Sequence, residues 1–280
     1  MSGLAGLSQR FARLNEIRDI MMAMKSLALV ETRKLARFIG YQQRMLANIE
    51  AAAADFLHFF PLAPAPAPSA AILVLVGSER GFCGNFNERV MSAYDRLPPS
   101  QPAPPLILVG QRLGTKFADH SRVVAALDGA TVAEDVPAVL DRLVDALQQA
   151  RGALAANSVA FFCLATQAAG EAVVKRLLPI EPGPPPSLPH RAHAPRLNLA
   201  PATFSADLVD QYLLAALYGQ LYGSLAAENR QRLAHMELAI DRLDQTVARV
   251  ALKRNALRQE KIVEEIEVML SSAMALAERD

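Results

Sequence analysis

The chain has 280 residues, 52% of them hydrophobic, and its acids and bases nearly cancel to a formal charge of +1. That length supplies a core for one large domain or two small ones, and the balanced charge excludes bulk attraction to nucleic acid or anionic lipid. Cys83 and Cys163 are too few and too distant to make a disulfide framework, which points to a reducing compartment. The N-terminus lacks a secretory apolar core, and no uninterrupted apolar stretch of about 18 residues spans a bilayer.

Proline punctuates the chain. None precedes Pro61 and none follows Pro201, so both ends are free to be helical throughout. In the first end, Leu14, Ile17, Met21, Met24, Ala28, Leu35, Phe38, Met45, Ile49, Ala52 and Phe56 keep three-four spacing, broken by Glu31 and Gln42. This is the stripe that a long helix buries against another, and it predicts a helix from about Leu4 to Leu57, roughly 80 Å long. Met21, Met22 and Met24 suit adaptable packing better than a ligand pocket. Arg10 to Arg44 is predominantly basic, which would suit acidic partners.

The middle alternates as α/β proteins do. Ala71–Val76, Leu106–Val109, Val123–Leu127 and Val159–Leu164 read as buried strands, with helical spacing in Asn85–Leu97 and Val136–Ala150 between them. A mostly parallel sheet covered by helices follows. His190–Ala200 reads as a loop leading to an edge strand. From about Ser205 a second helix of roughly 110 Å is expected. Leu233, Met236, Ile240, Leu243, Val247, Val250 and Leu257 hold its register, with Arg254 interrupting. Ile262, Ile266, Met269 and Ala273 continue it after a one-residue slip. The predicted architecture is α/β plus coiled coil. Segments 1–60 and 205–280 form a long antiparallel two-helix coiled coil, with a Rossmann-like α/β domain inserted over 70–200.

Candidate chemistry is sparse. The glycines of Gly77-Ser-Glu-Arg-Gly81-Phe-Cys83-Gly84 could admit a phosphate to a helix N-terminus, but the spacing departs from the dinucleotide fingerprint and lacks a Walker lysine. A tight strand-to-helix turn built on Gly81, Cys83 and Gly84 fits better. Gly110 to Lys116 also misses P-loop spacing. His190 and His193 have no companion metal ligand nearby and suit a solvated loop. Cys83 suits a small buried position better than a reactive thiol. No catalytic constellation, metal site or cofactor site is expected. Arg258-Gln259 lies where the stripe weakens and would face outward, offering a planar fork beside a donor and an acceptor.

Taken in order, several segments resemble the gamma, or central stalk, subunits of F-type ATP synthases. Ile20-Met-Met-Ala-Met24-Lys25-Ser-Leu-Ala28 with Arg33-Lys34 is similar to the family's N-terminal helix. Ser78 to Asn87 is similar to its serine–acid–arginine–glycine–leucine–cysteine–glycine turn, and Leu177-Leu-Pro-Ile180 to a segment of its α/β domain. Ser224 to Met236 and Asn255 to Ile266 resemble its two C-terminal motifs. Glu260, Lys261, Val263, Ser271 and Ser272 depart from the pattern, as do Glu31 and Thr32.

The resemblance implies a non-catalytic rotor shaft. It would stand inside a ring of alpha and beta subunits, rest on the membrane c-ring, and carry an epsilon subunit. Met24 and Lys25 would face the beta subunit's acidic lever, and Arg258 and Gln259 would grip a beta loop. It also implies a peripheral place on the cytoplasmic face of a bacterial inner membrane. A coiled-coil tether or assembly factor with an α/β cap is the alternative from another class, and a phosphate-binding enzyme using the Gly77–Gly84 turn is a third.

Overall fold

The computed structural model describes residues 2–61, 67–99, 103–156, 158–167, 170–180 and 194–277. His190 and His193 therefore lie outside the described residues. Helix α1 (Ser2–Phe59) and helix α5 (Pro201–Ala277) flank the proline-bearing middle. Contacts divide the chain into two compact units, Met1–Leu27 with Leu233–Asp280, and Ala28–Arg232.

The second unit is built on strands β1 (Ala70–Val76), β2 (Leu106–Val109), β3 (Val123–Leu127), β4 (Val159–Thr166) and β5 (Ala172–Leu178), in the order β3-β2-β1-β4-β5. The first four are mutually parallel, and β5 runs antiparallel to β4. The parallel strands need crossovers, and α2 (Phe86–Asp95), α3 (Gln111–Lys116) and α4 (Val136–Ala153) supply them. β1 is apolar on both faces because both are covered. Ile72, Val74 and Val76 pack toward α4, Leu35 of α1 and Tyr212–Ala226 of α5, whereas Leu73 and Leu75 meet Phe86, Val90 and Leu113. Within this unit the long helices run antiparallel. Phe38 stacks on Tyr222 at 5.3 Å, and Phe56, further along α1, meets Phe204, further back on α5, at 4.8 Å.

Three local differences from the sequence expectation have physical reasons. The edge strand is β5, with Lys175 and Arg176 interrupting the apolar run that would have marked it. For His190–Ala200 the expectation is a loop leading to an edge strand; residues 194–200 carry no strand, and α5 follows directly. The second helix begins at Pro201, where a missing N–H costs nothing in a first turn.

α1 is tied to the entry of α4 by polar contacts. The Glu31 carboxylate accepts the Ala133 N–H at 2.6 Å, and Lys34 pairs with Glu134. One turn on, the Asp135 carboxylate accepts the Thr131 N–H at 2.9 Å, the Thr131 hydroxyl at 2.8 Å and the Val132 N–H at 3.2 Å. Partial burial opposes its ionisation, but these donors together with nearby Arg80 leave the carboxyl below its ordinary range.

In the first unit the pairing is also antiparallel. Arg18 bonds Asp244 at 2.5 Å, and one heptad further along α1 Lys25 meets Glu237, one heptad back on α5, at 3.0 Å. Arg18 and Lys25 thus take half-buried positions beside the seam while Ile17, expected inside, is 46% exposed. Arg254 does not break the seam. Its guanidinium covers the Phe11 ring at 4.4 Å. Met236 and Val250 are buried as expected, but Leu257, Ile262, Ile266 and Met269 are exposed.

Because Asp135 is lowered in the folded state, its contribution is complete above the unfolded carboxylate pKa and fades as pH falls through the folded value. Urea denaturation as a function of pH should show a shallower acid-side loss of stability in Asp135→Asn than in the parent, with the parent more stable at neutral pH.

Candidate functional site

The turn after β1 is held by close packing and by hydrogen bonds from several elements. β1 ends at Gly77, where a Cβ would fall 2.4 Å from the Leu113 Cβ, so no larger residue lets α3 sit against the strand. Gly110 has φ 107°, and a Cβ there would fall 2.8 Å from both the Gly77 and the Ser78 carbonyl oxygens. Glu79 fastens the neighbouring loops, its carboxylate accepting the Gln111 N–H at 2.9 Å and the Gly129 N–H at 2.6 Å.

Beneath the turn is a small buried polar network. The Asn87 side chain accepts the Ser78 N–H at 2.9 Å and donates to the Ser78 hydroxyl at 2.8 Å. The Cys83 thiol donates to that same hydroxyl at 3.3 Å. Ser78 and Asn87 are both buried, and their hydrogen bonds make that burial tolerable.

From the other side α5 brings a buried ion pair. Glu228 and Arg232 stand one helical turn apart, 3% and 7% exposed, and pair with each other. The Arg232 guanidinium also donates to the Asn229 side chain at 2.9 Å and to the Gly81 carbonyl at 3.3 Å. The N–H groups of Glu79 and Arg80 donate to the Glu228 carboxylate. Burial pushes the Glu228 carboxyl above its ordinary range, against the opposing pull of Arg232 and these donors. At the rim the Gln231 amide donates to the Asn85 side chain at 3.3 Å. The pair is a clamp: Arg232 Nε and the Glu228 carboxylate reach the turn, while the other guanidinium nitrogens bind Asn229 and Glu228 on α5 itself.

The structure thus brings Gly81, Cys83 and Gly84 together in one turn and joins to it a set that spacing did not single out, Glu228, Asn229 and Arg232. The signal was present, since an acid and an arginine four residues apart inside a segment of small apolar residues are candidates for a buried pair. Cys83 is buried and burial raises its pKa; Cys163, fully enclosed, is pushed up to about 12. Buried thiols with raised pKa values are poor nucleophiles. Gly110–Lys116 is largely the short helix α3. Among the described residues no group of three or more His, Cys, Asp or Glu gathers to hold a metal.

The expected partner-contact residues lie in the first unit. Met24 is half-buried on α1, and Lys25 is committed to Glu237. Arg258 and Gln259 are exposed, as is every residue from Leu257 to Leu270. This run carries large apolar side chains at Ile262, Val263, Ile266, Val268, Met269 and Leu270 with none of them buried. This helix end is an exposed apolar surface, not part of a core.

Three outcomes follow from this geometry. Glu228→Ala should destabilise the chain by about 3–5 kcal/mol in urea denaturation, because it leaves a buried guanidinium without its carboxylate. The double variant Glu228→Ala/Arg232→Ala should cost less than the two single losses combined. Iodoacetamide should leave both cysteines unmodified in the native chain at about pH 7.5 and label both in denaturant.

Comparison with known proteins agrees with this arrangement. A family model described as ATP synthase matches residues 3–276. The chain is 24% identical over 304 residues to the ATP synthase gamma chain of Pelotomaculum thermopropionicum, covering 99% of this chain and 100% of that one. It is 26% identical over 290 residues to the gamma chain of a Parafrankia species, with 95% and 96% covered. Among solved structures, a chain of the rotor of Euglena gracilis mitochondrial ATP synthase shares the fold at a TM-score of 0.60, with 12% identity and coverage of 92% and 98%. A chain of the Tetrahymena thermophila mitochondrial ATP synthase central stalk and c-ring does so at 0.51, with 18% identity and coverage of 79% and 99%. From the turn, the helices on both sides of the sheet and a match running nearly end to end, the chain belongs to the ATP synthase family, alongside its gamma chains.

Proposed function

We propose that the chain is the central rotor shaft of an F-type ATP synthase, coupling ion-driven rotation of a membrane c-ring to nucleotide turnover on a ring of alpha and beta subunits. The observation that carries this reading is the exposed end of α5. Past Arg254, the helix presents an unbroken run of exposed side chains, apolar ones included, that no part of this chain covers among the described residues. Such a surface suits a sleeve of partner subunits.

In this reading the shaft is non-catalytic, and ATP chemistry belongs to its partners. The helical segments 1–60 and 205–280 carry the torque, and the domain over 70–200 with the adjacent helices rests on the c-ring and an epsilon subunit. No described helix is long and apolar enough to cross a membrane. In this reading partners hold the shaft peripherally, on the cytoplasmic face of a bacterial inner membrane. Met24 and Lys25 face the beta subunit. Lys25 does so while paired to Glu237, which leaves Met24 as the softer contact. Arg258 and Gln259 grip a beta loop: the guanidinium fork takes a carboxylate, and the amide supplies a donor and an acceptor. Both stand exposed.

The coiled-coil tether reading requires no such exposed end and no ring. Co-purification separates the two: the rotor reading expects this chain with alpha and beta partners at one copy per three of each, and its isolation without them would end that reading. Arg258→Ala/Gln259→Ala should fold with stability within about 0.5 kcal/mol of the parent. Coupled ATP turnover of the assembled complex should fall, at about 1.5–3 kcal/mol per lost charge-assisted bond. Unchanged turnover would remove both residues from the mechanism.

A further inference from the structure

Within the second unit both long helices are held to the loops of the α/β domain at one level. Phe38 stacks on Tyr222, and one heptad along each antiparallel helix brings Glu31 level with Asn229, between Glu228 and Arg232. There α1 grips the segment after β3, through Glu31 on the Ala133 N–H and Lys34 on Glu134. α5 grips the turn after β1, through Glu228 on the Glu79 and Arg80 N–H groups and Arg232 on the Gly81 carbonyl.

Glu79 joins the two grips. Its main chain serves α5, while its side chain holds the segment that α1 also holds. One carboxylate oxygen accepts the Gly129 N–H at 2.6 Å and the Gln111 N–H at 2.9 Å. The approach is close: a Cβ on Gly129 would fall 3.3 Å from that oxygen and 3.2 Å from the Gly110 Cα. Between Gly129 and Ala133 the chain is braced, since the Asp135 carboxylate accepts the Thr131 and Val132 N–H groups. A path therefore runs from Glu31 through Ala133, Gly129 and Glu79 to Glu228, in hydrogen bonds and one short braced segment. Its bonds are directional, so it resists sliding in a way that apolar packing does not.

We propose that this path is a collar that passes torque between the α/β domain and the helix pair, with Glu79 as the positioning residue at its centre. The proposal rests on the rotor reading above and adds the contact by which domain and helices turn together. Leu35, Phe38 and Tyr222 pack nearby and take the rest of the torque. Glu79→Ala cuts the collar in the middle and spares both grips, because the Glu79 N–H remains. Glu79→Gln keeps an oxygen that can accept both N–H groups, so it tests geometry apart from charge.

The test uses the complex assembled with alpha and beta subunits, its ring fixed to a surface and no ATP present. A rod is attached to the α/β domain through Val124→Cys, an exposed position, the two native thiols being buried. The rod's angular fluctuation then reports torsional stiffness. In Glu79→Ala the mean-square angle should rise about twofold, because the apolar packing still carries a share. Glu31→Ala, which opens the collar at its α1 end, should do the same. Glu79→Gln should keep the parental value. Val90→Ala hollows the core under α2 and leaves the collar whole, so it should melt below the parent without wider fluctuation. Parental fluctuation in Glu79→Ala or in Glu31→Ala would overturn the proposal. Equal widening in Val90→Ala would also overturn it, by making the effect one of general stability, and so would equal widening in Glu79→Gln. A parent chain that does not assemble with the ring overturns the rotor reading itself, whatever the variants do.

Discussion

A buried ion pair organises the second unit. Glu228 and Arg232 are enclosed almost completely, and a pair so placed recovers its desolvation cost only when every remaining donor and acceptor is met. The fold meets them with main chain: the N–H groups of Glu79 and Arg80 and the carbonyl of Gly81. The conformation of the turn and the rotation of α5 about its axis are therefore fixed by one another. Remove the carboxylate and the guanidinium has only an amide and a carbonyl; move the turn and both charges lose partners. Apolar residues would hold the same surfaces together with less specificity, because leucine tolerates sliding and a forked guanidinium does not.

The same logic repeats on the far face of the sheet with weaker parts. Glu31 and Lys34 hold α1 to the beginning of α4, where free N–H groups and the helix dipole favour a carboxylate. These groups are more exposed than the clamp and contribute less each. They nonetheless fix the register of α1 against the α/β core, with Leu35 fully buried beside them. Glu31, which breaks the apolar stripe when read along the helix, is the residue that makes this contact.

How legible the fold is depends on the kind of signal. The parallel strands are plain because short apolar runs bounded by glycine and proline are too short for buried helices and too apolar for loops. The long helices are plain because proline is absent from both ends. Strand β5 is obscured by Lys175 and Arg176, which suit an edge but mask the period. Spacing puts Ile17 inside the seam and makes Arg254 a fault in it. The opposite holds, because spacing alone cannot show that Arg18 has Asp244 opposite it or that Arg254 has an aromatic ring to cover. The turn after β1 is recognisable as a turn, but its partner on α5 lies too far along the chain for any local pattern to connect them. Exposure of Arg258 and Gln259 is foreseeable from the weakening stripe, and the structure extends it to the apolar residues from Ile262 to Leu270.

The antiparallel pairing of the chain's two ends has a consequence for biosynthesis. Arg18 leaves the ribosome with its apolar stripe exposed, and its partner Asp244 is 226 residues behind. At about 5–20 residues per second, that half of the seam waits roughly 10–45 s for its complement. Contacts of such long sequence separation form late, so the nascent N-terminal helix is a natural client for chaperones, and truncated products would carry an unmatched sticky helix.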